Sequence, residues 1–298
     1  MALINDPASR PAPMWALVRF LASEKHPVSV ERAKGLLTPP GIVGSDHKVF
    51  DWAASTLESL RLLSQSEDGL LRLAGPAQTL DGDDYTAFTN VLRNAVLSPE
   101  LNLAIGDNSS QHGPRDLCRA LCWFLTLDPA GEAIGRENYP RLQAGALKPE
   151  VKDPIVNDNR WGYFKDWASA LGFAGVALPT SGDASYLVPD CTVAVRQTVQ
   201  MLWKPGATVS ALELLGELRK ALPVLPGGAY STAVGLDSPG ENVAGSALSF
   251  ALLRGADEGW VALERNADAR RFMSVHDPDR PTYPRSYSSV KIFKDPNG

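Results

Sequence analysis

Cysteine is scarce. Cys118, Cys122 and Cys191 are the only three in 298 residues, too few for a disulfide framework and in keeping with a reducing compartment. No apolar run approaches the ~18 residues that a membrane-spanning helix needs. The opening "MALINDPASRPAPM" has neither the basic n-region nor the apolar h-region of a signal peptide. The expectation is therefore a cytoplasmic protein that does not engage a membrane. Basic excess is also lacking: the formal net charge is −5, which disfavours a protein that coats nucleic acid without selection.

Catalytic signatures are missing too. There is no Gly-x-x-x-x-Gly-Lys-Ser/Thr, so the glycine-rich stretch Gly227–Gly235 lacks the lysine that a P-loop sets against phosphates. There is no Gly-x-Ser-x-Gly, and Ser45/Lys48 and Ser288/Lys291 have the Ser-x-x-Lys spacing without its companion motifs. Glu150 and Lys152 have the Glu-x-Lys spacing of metal-dependent nucleases, with Glu100 or Asp153 as a possible further carboxylate. That chemistry needs the pair on a central strand, and Pro149 and Pro154 bracket it. Asp81, Asp83 and Asp84 precede a helical pattern, where carboxylates complement the helix dipole without binding a metal. Cys118 and Cys122 share a helix face, but the four histidines (His26, His47, His112, His276) are not grouped beside them. Zinc needs about four ligands. The expectation is a non-enzymatic chain with no metal and no cofactor.

What is present is an echo. "FDWAASTLESLRLLS" at Phe50–Ser64 and "FKDWASALGFAGVALP" at Phe164–Pro179 both give Asp-Trp-Ala, a helical run and a short apolar segment. Each fits the third helix and first wing strand of a winged-helix unit, with Trp52 and Trp167 as core anchors.

In residues 1–76, "MWALVRFLASEKH" and "VERAKGLL" supply two helices, the second capped by Ser29. Ser45 or Asp46 caps a third, with Val49, Trp52, Ala53, Leu57 and Leu60 at helical spacing. Leu62–Ser64 and Leu70–Leu73 then flank Glu67-Asp68-Gly69 as a hairpin. Residues 77–113 read as an acidic helical connector.

Residues 114–189 repeat the order, with a turn at Ser181-Gly182-Asp183. Residues 190–276 do so again, with Asp190 capping one helix and Ser210/Glu213 forming a capping box for the next. Trp260–Arg265 and Arg270–Val275 read there as the longest hairpin, anchored by Trp260. The tail, residues 277–298, is Pro-rich and basic, and "SSVKIF" can add an edge strand. The fold class is thus mainly α with small β-hairpins, in tandem winged helix-turn-helix units.

Charge is unevenly spread. Residues 76–134 hold eight acidic and three basic residues, and 205–264 hold seven and three, whereas 265–298 hold seven basic and four acidic. A winged helix usually reads DNA with its third helix and touches the backbone with its wing. The first unit suits this poorly: Asp46, Asp51 and Glu58 face His47 and Lys48 alone. The second offers Asn157, Asn159, Arg160 and Lys165 around a helix start, as base-reaching residues or as ordinary loop formers. The third has the most basic wing, with Arg265, Arg270 and Arg271, followed by Arg280, Arg285, Lys291 and Lys294. The structural alternative is a ribbon kept soluble by charge.

"PAPMWALVRFLASEKHPVS", "SALSFALLRGADEGWVALERNADARRFMSV" and the closing "RSYSSVKI" together resemble the DpdG-type accessory proteins of bacterial islands that insert deazapurine bases into DNA and restrict unmodified, often phage, DNA. The resemblance covers most of the chain and carries no catalytic motif. It implies a DNA-associated restriction or phage-defence role, with helicase- or nuclease-like protein partners. Three readings follow. One is a protein that recognises double-stranded DNA; another is an adaptor whose winged helices dock protein. The third is a winged-helix transcriptional regulator, which would dimerise on a palindromic site.

Overall fold

The computed structural model describes residues 2–5, 9–39, 41, 48–107, 113–177, 186–280 and 282–294. The protein is mainly helical, with small antiparallel sheets. Two compact units share the chain. The first comprises Met1–Leu103, Ser109–Leu117 and Asn159–Leu171, and the second Ala104–Asn108, Cys118–Asp158 and Gly172–Gly298.

The first unit begins with α1 (Pro11–Ser23), which buries Met14, Leu17, Val18 and Leu21 at helical spacing. After β1 (Val28–Ser29) comes α2 (Val30–Leu37), whose N-cap Ser29 accepts the Arg32 amide at 3.2 Å, as expected. Helix α3 (Lys48–Ser59) packs on α1 and is followed by β2 (Leu63–Gln65) and β3 (Leu70–Leu73). The hairpin sits where the sequence places it, with Gly69 at φ 72 in the turn, a conformation that glycine alone adopts freely. The suggested cap of α3, Ser45 or Asp46, lies outside the described residues, as does His47. The buried face of α3 is Phe50, Ala53, Thr56 and Leu57. Val49 is 50% exposed and Trp52 only half-buried. Ala53, Leu57 and Leu60 are buried as expected, but the bulky Phe50 takes the inward position of the first turn in place of Val49 and Trp52.

Further along, α4 (Tyr85–Val96) is capped by Asp84, which accepts the Ala87 amide at 2.8 Å. Arg93 on α4 is buried. It donates to the Leu171 carbonyl at 3.2 Å and to Asn90 Oδ1 at 2.7 Å. Burial lowers its pKa to about 10, so it remains charged at neutral pH.

Helix α5 (Arg115–Phe124) begins with Asp116, also buried. Its carboxylate accepts the amides of Leu3 (3.0 Å), Ile4 (2.7 Å), Asn5 (2.9 Å) and Leu117 (2.8 Å). Burial pushes the Asp116 carboxyl above its ordinary pKa, while the four amides pull it back. This clamp holds Leu3 and Ile4 in the core.

In the second unit, α6 (Tyr139–Gln143) precedes α7 (Asp158–Ala170), which itself falls almost wholly in the first unit. Trp167 on α7 is fully buried, as the echo suggests. Strands β4 (Gly175–Val176) and β5 (Leu187–Val188) pair, and Ile134 bridges to Leu187 on the other side of β5. The proposed turn Ser181-Gly182-Asp183 lies outside the described residues.

Then follow α8 (Thr192–Leu202), β6 (Thr208–Ser210), α9 (Ala211–Ala221), α10 (Ala229–Ala233), α11 (Ser246–Asp257) and β7 (Val261–Glu264). The residue capping α8 is Cys191 rather than Asp190, whose Oδ1 instead accepts the Thr192 amide at 2.8 Å. Ser210 precedes α9 without a side-chain capping bond. Arg219 on α9 ties down the Gly/Pro-rich connector, donating to the carbonyls of Pro226 (3.0 Å), Gly240 (3.2 Å) and Val243 (2.8 Å).

The last strands correct the expected topology. Trp260–Arg265 and Arg270–Val275 do not form a hairpin. Strand β8 (Met273–Val275) pairs with β9 (Arg285–Tyr287), and β7 pairs with β10 (Ser289–Ile292). Strand β10 is not an edge strand either: it lies between β6 and β7. Its alternation explains this, because Val290 and Ile292 are fully buried while Ser289 and Lys291 face outward. The same order occurs in the first sheet, β1-β3-β2, with the last strand in the middle.

Trp260 is fully buried, and its ring rests on α11 at Gly255, where an added Cβ would lie 2.3 Å from the indole. Replacing Asp116 by Ala should cost about 2–4 kcal/mol through the amides left unpaired, read as a lowered urea midpoint. Gly255→Ala should cost about 1–3 kcal/mol by overpacking. Gly216→Ala, on α9 with open space around it, should instead stabilise by up to about 1 kcal/mol.

Candidate nucleic-acid interface

The basic wing candidate is positioned from its root. Gly259, at φ 80, turns the chain out of α11. The Trp260 indole N–H donates to Glu258 Oε2 at 3.1 Å, and its carbonyl accepts the Phe293 amide at 2.9 Å. The start of β7 is thus fixed to both α11 and β10, and the chain leaves the sheet at Arg265.

Residues 265–272 form a loop that turns tightly. Asn266 Oδ1 accepts the Asp268 amide at 3.0 Å, and the Asn266 amide donates to Ser288 Oγ at 2.8 Å. Such self-bonding is why asparagine favours turns, and it directs the chain away from the hairpin its alternation suggested. The Arg265 guanidinium lies 5.6 Å from the Phe272 ring centre. Arg265, Arg270 and Arg271 are all exposed. Among the described residues, no carboxylate lies within ion-pair distance of any of the three. Asp268 is the one acid of this loop.

The other basic candidates divide. Arg285 is committed: its Nε and Nη2 both lie 2.7 Å from Asp277 Oδ2, and Asp277 is only 2% exposed. Hydrogen bonds to Tyr287 and Asp277 hold the Arg285 guanidinium above its ordinary pKa. This pair staples Asp277, just past β8, to the start of β9. Lys291 is half-buried on the outer face of β10, with Nζ 5.5 Å from the Phe293 ring centre. Arg280 and Lys294 are exposed. The sequence reading passed over Tyr283, which is 78% exposed on the loop joining β8 and β9. Its setting between Arg280 and Arg285 in "RPTYPR" was the available signal.

The helices offer less to an anion. On α11 the exposed residues include Arg254 and Asp257. Arg254 is already held by Asp190 (2.7 Å) and Glu258 (2.8 Å). On α3, Lys48, Asp51 and Glu58 are exposed, with Asp51 paired to Lys34 at 2.7 Å. Around the start of α7, Asn157 and Asn159 are exposed, whereas Arg160 and Lys165 are half-buried. Asp158 meets Arg136 at 3.5 Å, and Asp166 meets Arg10 at 2.9 Å. Of the basic candidates, Arg265, Arg270 and Arg271 are gathered on one short loop.

Glu150 and Lys152 lie in an exposed turn, with Lys152 at φ 61. The three cysteines are all buried, and burial raises the thiol pKa of Cys122 and Cys191, so these two are poor nucleophiles and ligands. No group of three or more His, Cys, Asp or Glu suited to a metal ion occurs among the described residues. No helix among them is long and apolar enough to cross a membrane.

A family model described as DpdG-like matches residues 1–269. No curated protein and no solved structure matches the chain. Truncating Asp277 to Ala should leave Arg285 without its carboxylate and loosen the ribbon by about 1–3 kcal/mol. Hydrogen exchange should then show faster amides at 273–275 and unchanged ones on α9.

Proposed function

Because the chain belongs to the DpdG-like family over residues 1–269, we propose that it serves the Dpd DNA-modification system as a non-enzymatic, tandem winged-helix protein. Its contact with double-stranded DNA runs through the loop between β7 and β8. The winged-helix reading is supported by strand order. In each of three places a segment after the first helix pairs with the last strand, which also pairs with the strand that follows the last helix. These are β1-β3-β2, Ile134 with β5 and β4, and β6-β10-β7. The β7–β10 excursion, residues 265–288, corresponds to the wing.

The observation that carries DNA contact is the trio Arg265, Arg270 and Arg271, exposed and without ion-pair partners among the described residues. Arginines in that state approach phosphates without first breaking an internal bond, and they gain affinity by releasing counterions. The exposed end of α11 carries Asp257, so the contact is made by backbone phosphates through the wing. Base reading by that helix is disfavoured. In such a role the protein brings DNA to partner components of a restriction or phage-defence assembly, helicase- or nuclease-like in kind. A second reading, a protein-docking adaptor, is favoured by the outer face of α3, where Glu58 is exposed beside an Asp51 already paired to Lys34.

Titration against fluorescent duplex DNA at about 50 and 200 mM salt separates the two. DNA contact should give binding that weakens with salt. Replacing Arg265, Arg270 and Arg271 by Glu should reduce affinity at least tenfold and flatten the log–log salt slope by about 2–3. Absence of binding at the lower salt would sink direct contact and leave the adaptor reading.

A further inference from the structure

The second unit holds a cleft of about 650 Å³ between α11, β7, β9 and the 277–279 loop, within the roughly 300–1,000 Å³ range of ligand sites. Its walls are apolar where Phe250, Leu253, Leu263 and Tyr287 line it. Two arginines and three carboxylates also face it: Arg254, Arg285, Asp257, Asp277 and Asp279. Both arginines are occupied. Arg254 bonds Asp190 and Glu258, and Arg285 bonds the buried Asp277. Asp257 and Asp279 are exposed and have no cation within ion-pair distance among the described residues. The cleft therefore presents two uncompensated negative charges beside apolar side chains.

We infer that this cleft docks a basic segment of a partner protein, one in which lysine or arginine alternates with apolar side chains. Charge complementarity selects the occupant. A nucleic-acid backbone would bring phosphates against Asp257 and Asp279, and an acidic peptide would meet the same repulsion. A purely apolar segment would leave both carboxylates partly desolvated and unpaired. A basic segment satisfies both and covers the apolar part of the lining, its alkyl stems lying along Phe250 and Leu253. The inference does not depend on DNA contact, because the arginines of the 265–272 loop do not line this cleft.

The test is fluorescence anisotropy of the full chain with a short fluorescein-labelled peptide alternating lysine and leucine, at about 150 mM salt to suppress long-range attraction. A matched lysine–serine peptide is run beside it. Saturable binding of the lysine–leucine peptide is expected, at least tenfold tighter than that of the lysine–serine peptide. The D257N/D279N variant should weaken it about three- to tenfold. The E67Q/D68N variant alters the β2–β3 turn of the first unit by the same charge and should leave binding unchanged. Equal weakening by both variants would show general attraction to an acidic protein and overturn the assignment. So would equal binding of the two peptides, or no saturable binding at all.

Discussion

The constraint on which the β6-β10-β7 sheet rests is that its closing strand must lie between two strands made earlier. Strand β10 pairs with β6 on one side and β7 on the other, and its Val290 and Ile292 fill the core beneath. Between β7 and β10 the chain leaves the sheet at Arg265 and returns at Ser288. In the first sheet the equivalent excursion is the short turn at 66–69 between β2 and β3. Lengthening it in the later sheet makes room for a second ribbon, β8–β9, and for a loop of arginines, without disturbing the core order. Elaboration is thus confined to the one connection that the sheet itself does not restrain.

Internal bonding, more than sequence charge, decides which basic groups are available outward. Arg219 holds a connector by its carbonyls, Arg254 bridges two acids, and Arg285 is bound to a buried aspartate. Each is an exacting bond made by a planar guanidinium with several donors. Arg265, Arg270 and Arg271 differ only in having no carboxylate within reach among the described residues. The same division holds for the acids: Asp277 is consumed by structure, while Asp257 and Asp279 remain outward. One unit can in this way present a basic loop and an acidic cleft as separate surfaces, even though the whole chain carries a net charge of only −5.

Legibility followed locality. Most helices and the β2–β3 hairpin could be read because their partners are near in sequence and their turns carry Gly69 or a cap such as Ser29, whereas α10 lies in a glycine-rich stretch that reads as a connector. Strand β7 was paired with the wrong stretch because two alternating segments flanking a polar turn look like a hairpin from either side. Its true partner starts beyond a long excursion, and nothing local marks it. The Asp-Trp-Ala echo was legible as a shared third-helix position but not as equal burial: Trp167 is fully enclosed and Trp52 is half open, since Phe50 claims the inward place. Charge clusters were legible as counts. The pairing of Arg285 with Asp277 was not, because it depends on which groups the ribbon brings together.

The middle position of β10 also sets an order of events during folding. Strands β6 and β7 cannot satisfy each other, so each keeps an open edge until residues 289–292 arrive. The pairing of Val209 with Val290 spans much of the second unit, and such distant pairings form slowly because the chain between them must first be gathered. Until then β6 and β7 carry unpaired inner edges, the condition in which β structure most readily joins the wrong partner. Thr208 and Ser210 on β6 and Glu264 on β7 are exposed polar residues flanking that gap, which blunts those edges while they wait.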